Sequence, residues 1–78
     1  MLVKIKDNRI INLDNVVEIV KEDIALTIQF YCINDVRLSV RFEDKSMLDN
    51  AYNKIFTSYS SGNPGCDITE YVKRGTVV

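Results

Sequence analysis

Histidine is absent from the 78 residues, and with it every Ser-His or Cys-His pairing through which a hydroxyl or thiol is activated for attack. The two cysteines, Cys32 and Cys66, stand far apart. Without histidine they offer no zinc-type spacing and no disulfide framework, so both are expected as free thiols, Cys32 within the core. A Gly-rich phosphate loop, a nucleophile elbow and a cluster of metal ligands are all missing. Long apolar runs are missing too, since Met1-Leu2-Val3 is broken by Lys4 and Lys6, which excludes a signal-peptide core or membrane helix in this stretch. A formal net charge of −1 removes the electrostatic pull toward a phosphate backbone or an anionic lipid surface. These absences predict a cytoplasmic protein that is not an enzyme, with no catalytic residue, no metal, no cofactor and no membrane association.

What is present is an ordinary globular composition, 46% hydrophobic and 27% charged, in a length that holds one domain. So small a domain has a thin core, and self-association is a common remedy.

The pattern predicts an α+β fold: an antiparallel β-meander of about four to five strands packed on one C-terminal amphipathic helix. Residues 1–60 form this domain, and residues 61–78 read as a Gly/Pro linker and a short, partly ordered tail. Asp7-Asn8 suits a two-residue hairpin turn pairing Ile5 with Ile10. Asn12-Leu-Asp-Asn15 reads as a corner. Val16–Lys21 is apolar and β-branched, and a loop at Glu22-Asp23 would place Ile19 opposite Leu26 and Val17 opposite Ile28. A three-residue loop, Ile33-Asn34-Asp35, sets Phe30 opposite Leu38 and Ile28 opposite Val40.

From Asp44 the apolar period changes from two to 3.6 residues. Met47, Leu48, Ala51, Tyr52, Ile55, Phe56 and Tyr59 fall on one stripe, expected to be core. Asp44 or Ser46 caps the helix start, Ser46 with Asp49 having capping-box spacing. Ser58–Gly65 ends the helix. Beyond it, Ile68, Tyr71 and Val72 allow a short docked helix, an added strand or a loose segment. Asp7, Asp14, Asp23 and Asp35 fall in turns, where short acidic side chains hold backbone.

The face of the meander turned from the helix carries Thr27, Gln29, Tyr31, Arg37, Ser39 and Arg41, the candidate partner-binding residues. Tyr31 lies opposite Arg37 and Thr27 opposite Arg41. A basic face with an aromatic is compatible with single-stranded nucleic acid, but one aromatic and two arginines suit a solvated sheet face or a protein partner better. Ile11, Val16, Val20 and Ala25 fall on the same side and make an apolar strip of the kind that partners cover. The terminal Thr76-Val77-Val78 matches a PDZ-ligand pattern at a specificity of three residues.

The segments Ile10-Ile-Asn-Leu-Asp-Asn-Val-Val-Glu-Ile19 and Phe42-Glu-Asp-Lys-Ser-Met-Leu-Asp-Asn-Ala-Tyr-Asn-Lys-Ile55 resemble short uncharacterised bacterial and phage proteins with a meander followed by one helix. The resemblance covers roughly residues 1–56 and implies a fold, with no catalytic residues to carry over. The function expected is that of a non-enzymatic protein-binding module, a small adaptor or regulator that self-associates. The alternatives are a phage or mobile-element inhibitor of a host protein and a single-stranded nucleic-acid-binding domain on the outward sheet face.

Overall fold

The computed structural model describes residues 1–75. The first hairpin joins β1 (Leu2–Lys6) to β2 (Arg9–Asn12). Lys6 faces Arg9 across the turn as expected, but Lys4, not Ile5, faces Ile10, because the register shifts between Lys4 and Lys6. The shift sets Val3 opposite Ile11, and Val3, Ile5 and Ile11 are all buried while Ile10 turns to solvent. In the unshifted register Val3 would have faced Asn12, so the extra residue exchanges a polar core position for an apolar one.

The corner forms as a single 3-10 turn, Leu13–Asn15, with the Asn12 side chain accepting from the Asp14 N–H at 3.0 Å. It divides what reads as one meander into two sheets. The second contains β3 (Val16–Glu22), β4 (Thr27–Cys32) and β5 (Arg37–Arg41) in that order. Between β4 and β5 the expected register is observed, Phe30 opposite Leu38 and Ile28 opposite Val40. Asp35 takes the left-handed conformation in that loop, φ 65°. Asp35→Val is expected to lower stability by about 1–2 kcal/mol, while Asp35→Gly is expected not to lower it; urea midpoints compare them.

Between β3 and β4 the expected register is replaced. Ile19 faces Phe30 and Glu22 faces Thr27, leaving residues 23–26 as the loop. A two-residue turn would need left-handed backbone at both Glu22 and Asp23; the longer loop needs it only at Leu26, φ 55°. The displacement is four residues, an even number, so Ile19 stays on the face of Ile28 and Phe30, while the register shift between Val16 and Glu18 turns Val16 to that side as well. Its cost is that Ile24 is fully exposed at the loop tip.

Helix α1 (Lys45–Ser60) starts at Asp44, whose carboxylate accepts the Met47 N–H at 2.9 Å. Of the two expected caps, Asp44 acts and Ser46–Asp49 forms no box. The helix ends in a Schellman arrangement: Asn63 N–H bonds the Ser58 carbonyl at 2.9 Å and Gly62 N–H that of Tyr59 at 3.1 Å, with Gly62 at φ 73°.

Of the three forms open to the segment read as a Gly/Pro linker and partly ordered tail, its described part takes the added strand. Gly65–Asp67 forms β6, parallel to β1, completing a sheet ordered β2-β1-β6. A Cβ on Gly65 would stand 3.0 Å from the Leu2 carbonyl oxygen, so glycine suits this close approach. Ile68 is fully buried, its N–H bonded to the Lys4 carbonyl at 3.0 Å. Val72 then bridges Phe42, and the Lys73 N–H reaches the Arg41 carbonyl at 2.8 Å. One core therefore unites Val3, Ile5 and Ile11, the inner faces of β4 and β5, the Leu48, Ala51 and Ile55 row of α1, and Ile68. Residues 76–78, including the Thr76-Val77-Val78 pattern, lie outside the described residues. Among the described residues no helix is long and apolar enough to cross a membrane.

Candidate functional site

The outward face of the second sheet brings the six candidate residues together in the expected rows, Thr27 opposite Arg41, Gln29 opposite Ser39 and Tyr31 opposite Arg37. Their accessibility differs. Thr27 and Gln29 are buried, Tyr31 and Ser39 are half-buried, and Arg37 and Arg41 are exposed. The Gln29 amide donates to Thr27 Oγ1 at 3.0 Å and Ser39 Oγ at 3.1 Å, so the middle of the face is engaged in holding itself together. Its Oε1 is buried without a partner. Of the apolar strip read on this side only Val20 is in place, half-buried opposite Gln29: Ile11 is core, Val16 turns toward the helix, and Ala25 sits in the exposed loop.

A different surface is left uncovered. On α1 the stripe expected to be core divides along its length. Leu48, Ala51, Ile55 and Ser58 are buried, whereas Phe56 is 65% and Tyr59 68% exposed. The helix packs on β4 and β6, leaving the space above β3 unfilled. There a groove of about 350 Å³ runs between Leu13, Val16, Val17 and Ile19 on one side and Tyr52, Phe56 and Tyr59 on the other. Val17 is 67% exposed in it, at the point where the β3 ladder shifts register.

The groove is flanked by unused backbone. In an antiparallel ladder the N–H and C=O of one residue point to the same neighbour, and successive residues alternate. The Cys32 N–H bonds the Val36 carbonyl at 2.8 Å, which turns Ile28, Phe30 and Cys32 toward β5 and Thr27, Gln29 and Tyr31 toward β3. Their partners on β3 are Glu22, Val20 and Glu18. Ile19 and Lys21, lying between these, direct their peptide groups outward along the open edge. On β5 the same alternation turns Arg37, Ser39 and Arg41 outward, and there the Arg41 carbonyl is taken by Lys73.

One end of the groove is fixed by charge. Asp49 accepts from Lys21 at 2.8 Å and from Lys45 at 3.1 Å, and Lys21 Nζ sits 5.4 Å from the Tyr52 ring centroid. The hydrogen bond from Lys21, then that from Lys45, holds the Asp49 carboxyl below its usual value, and the bond to Asp49 raises Lys21. A lowered carboxylate stabilises the fold above its unfolded pKa, and this contribution disappears as pH falls through its folded pKa. The raised lysine contributes until pH climbs through its own folded value, so both are present at neutrality. Asp49→Asn is therefore expected to reduce the urea midpoint at neutral pH, with the difference closing in acid. Lysine is a common guard of strand edges; here Lys21 is drawn to the helix and its backbone edge stays open.

Cys66 lies apart from this groove, and burial pushes its thiol up, away from reactive thiolate character. Both cysteines are free. In comparison with known proteins, no family model, no curated protein and no solved structure matches the chain.

The helix stripe is the signal that points to the groove in sequence. Seven apolar residues across α1 make a wider face than one three-stranded sheet covers, and the surplus falls on Phe56 and Tyr59.

Proposed function

We propose that this chain is a small protein-binding module that accepts an extended segment along the open edge of β3, within the groove beside α1. The observation carrying this reading is one juxtaposition: the outward peptide groups of Ile19 and Lys21 lie beside Val17, Phe56 and Tyr59, each about two-thirds exposed. An unpaired strand edge supplies main-chain hydrogen bonds to any extended chain, and alternate side chains of that chain then fall to the same face. The apolar groove on the helix side selects apolar residues at every second position. Hydrogen bonds give affinity, and the groove gives specificity. The role is that of an adaptor or regulator, working by occupancy.

Panning a displayed random-peptide library on the protein tests the reading. Enriched peptides are expected to show apolar residues at alternate positions and no proline at the positions that hydrogen-bond to Ile19 and Lys21. Their affinity is expected to fall at least roughly tenfold with Phe56→Ala or Tyr59→Ala, as for exposed aromatics at an interface centre. Peptides without alternation, binding both variants as tightly as the parent, would remove the groove from the account.

A further inference from the structure

The groove admits any extended chain of suitable pattern, but strand β3 carries features that fit one occupant in particular. Resting on the strand-addition reading above, we infer that the occupant is a second copy of this chain, its β3 paired antiparallel with the first about a two-fold axis at Ile19. The β3-β4-β5 sheet of each copy joins its counterpart in one continuous sheet, with both helices on the same face.

Register is the first argument. Antiparallel pairing about a two-fold axis perpendicular to the sheet sets one residue opposite itself. β3 spans Val16–Glu22, and its middle residue is Ile19, so an axis there centres the pairing on the strand, whose own ladder with β4 is regular from Glu18 to Glu22 and shifts at Val17. In that register Glu18 faces Val20 of the other copy, Val17 faces Lys21 and Val16 faces Glu22, with no like charges opposed. Moving the axis to Glu18 sets two carboxylates face to face. Moving it to Val20 sets Glu18 against Glu22, and moving it to Lys21 opposes two lysines. Like charges directly opposite destabilise a strand pair, so length and charge select the same register. The hydrogen-bonding alternation agrees at the axis, because the outward peptide groups of Ile19 then meet those of Ile19 in the other copy.

Space is the second argument. Each helix packs on β4 and β6, and the groove lies between it and β3. In the paired sheet the two β4 strands stand three strand spacings apart, roughly 14 Å. Two helices of about 10–12 Å diameter fit side by side over that span, with Phe56 and Tyr59 of both copies filling the seam.

Area is the third. A tyrosine or phenylalanine buries about 150–250 Å² when covered. With Phe56 65% and Tyr59 68% exposed, the two aromatics of both copies offer roughly 400–660 Å². Val17, 67% exposed in each copy, and the paired backbone add to this, in the direction of the about 1,200–2,000 Å² that a specific interface buries.

Sedimentation of the full chain over a concentration series, with amide hydrogen exchange on the same samples, decides the matter. A concentration-dependent dimer is expected. The Ile19 and Lys21 amides are expected to slow as concentration rises, while those of Glu18 and Val20, bonded to β4 in either state, are not. Val20→Glu, which opposes Glu18 of the other copy, and Tyr59→Glu are each expected to weaken dimerisation at least roughly tenfold. Far-UV circular dichroism reports whether each variant folds. If one does not, the other variant and the exchange pattern of the unmodified chain carry the decision. A protein that stays monomeric, or a dimer whose protection lies elsewhere, such as around the exposed Ile10, Ile33 and Val36, overturns the inference. The strand-addition reading survives that outcome if alternating peptides still protect Ile19 and Lys21 in the monomer, and fails with it if they do not.

Discussion

Ile68→Ala is expected to remove about 2–5 kcal/mol of folding stability, the usual cost of emptying a buried aliphatic site. A domain of this size is held by roughly 0.05–0.15 kcal/mol per residue, so the loss consumes a large part of the total. The expectation follows from position. Ile68 is fully buried among residues from both sheets and the helix, and its backbone is tied to Lys4 immediately after β6 has paired with β1. A cavity there is bounded by three elements that cannot collapse independently. Urea unfolding monitored by circular dichroism should show a lower midpoint with an unchanged slope. A loss below about 0.5 kcal/mol, normal for a surface position, would mean that residues 65–75 are peripheral.

The second large expected effect is a contrast between neighbours on α1. Ile55→Ala is expected to cost about 2–5 kcal/mol, whereas Phe56→Ala, one residue on, should change stability by less than about 0.5 kcal/mol. Sequence pattern places both on the apolar stripe, and phenylalanine has the greater surface to bury. In the structure Ile55 is 4% exposed and Phe56 65%, so the stability effect follows Ile55 and the binding effect Phe56. If association buries Phe56, its variant loses stability only at concentrations where the complex forms, since binding adds to apparent stability by mass action. Melting curves at low and high concentration separate the two contributions. A large loss for Phe56→Ala at every concentration would place it in the monomer core and close the groove.

The α+β class was legible because its signals are local: a two-residue alternation through Phe42 and a 3.6-residue period from Met47. The β4–β5 register was legible too, since only a three-residue loop keeps Phe30 and Leu38 on one face. The β3–β4 register was not, because displacing the strands by four residues leaves the apolar faces unchanged and alternation cannot tell the two apart. The contest was decided by backbone conformation at Glu22, Asp23 and Leu26, which pattern does not encode. The parallel pairing of β6 with β1 was hidden for another reason. It joins residues some sixty positions apart, and a three-residue strand beginning in glycine carries almost no periodic signal.

The site was legible only in part. Thr27, Gln29, Tyr31, Arg37, Ser39 and Arg41 do share a face, as alternation requires, yet Thr27 and Gln29 are buried in it. Composition identifies polar residues on one side of a sheet, but not how closely their neighbours cover them. The groove arises from what the helix leaves uncovered, and that depends on where α1 settles across the sheet. The helix lies over β4, so the excess width of its apolar stripe overhangs β3.

The most direct test of the groove is a backbone amide shift map recorded while the tightest library-selected peptide is titrated into the isotopically labelled protein. Changes are expected to concentrate on Val17, Ile19, Lys21 and the Tyr52–Tyr59 part of α1, with the amides of Tyr31, Arg37 and Arg41 little altered. Changes centred instead on Tyr31, Arg37 and Arg41, with Ile19 and Phe56 unmoved, would contradict this expectation and return the binding surface to the outward face of the sheet.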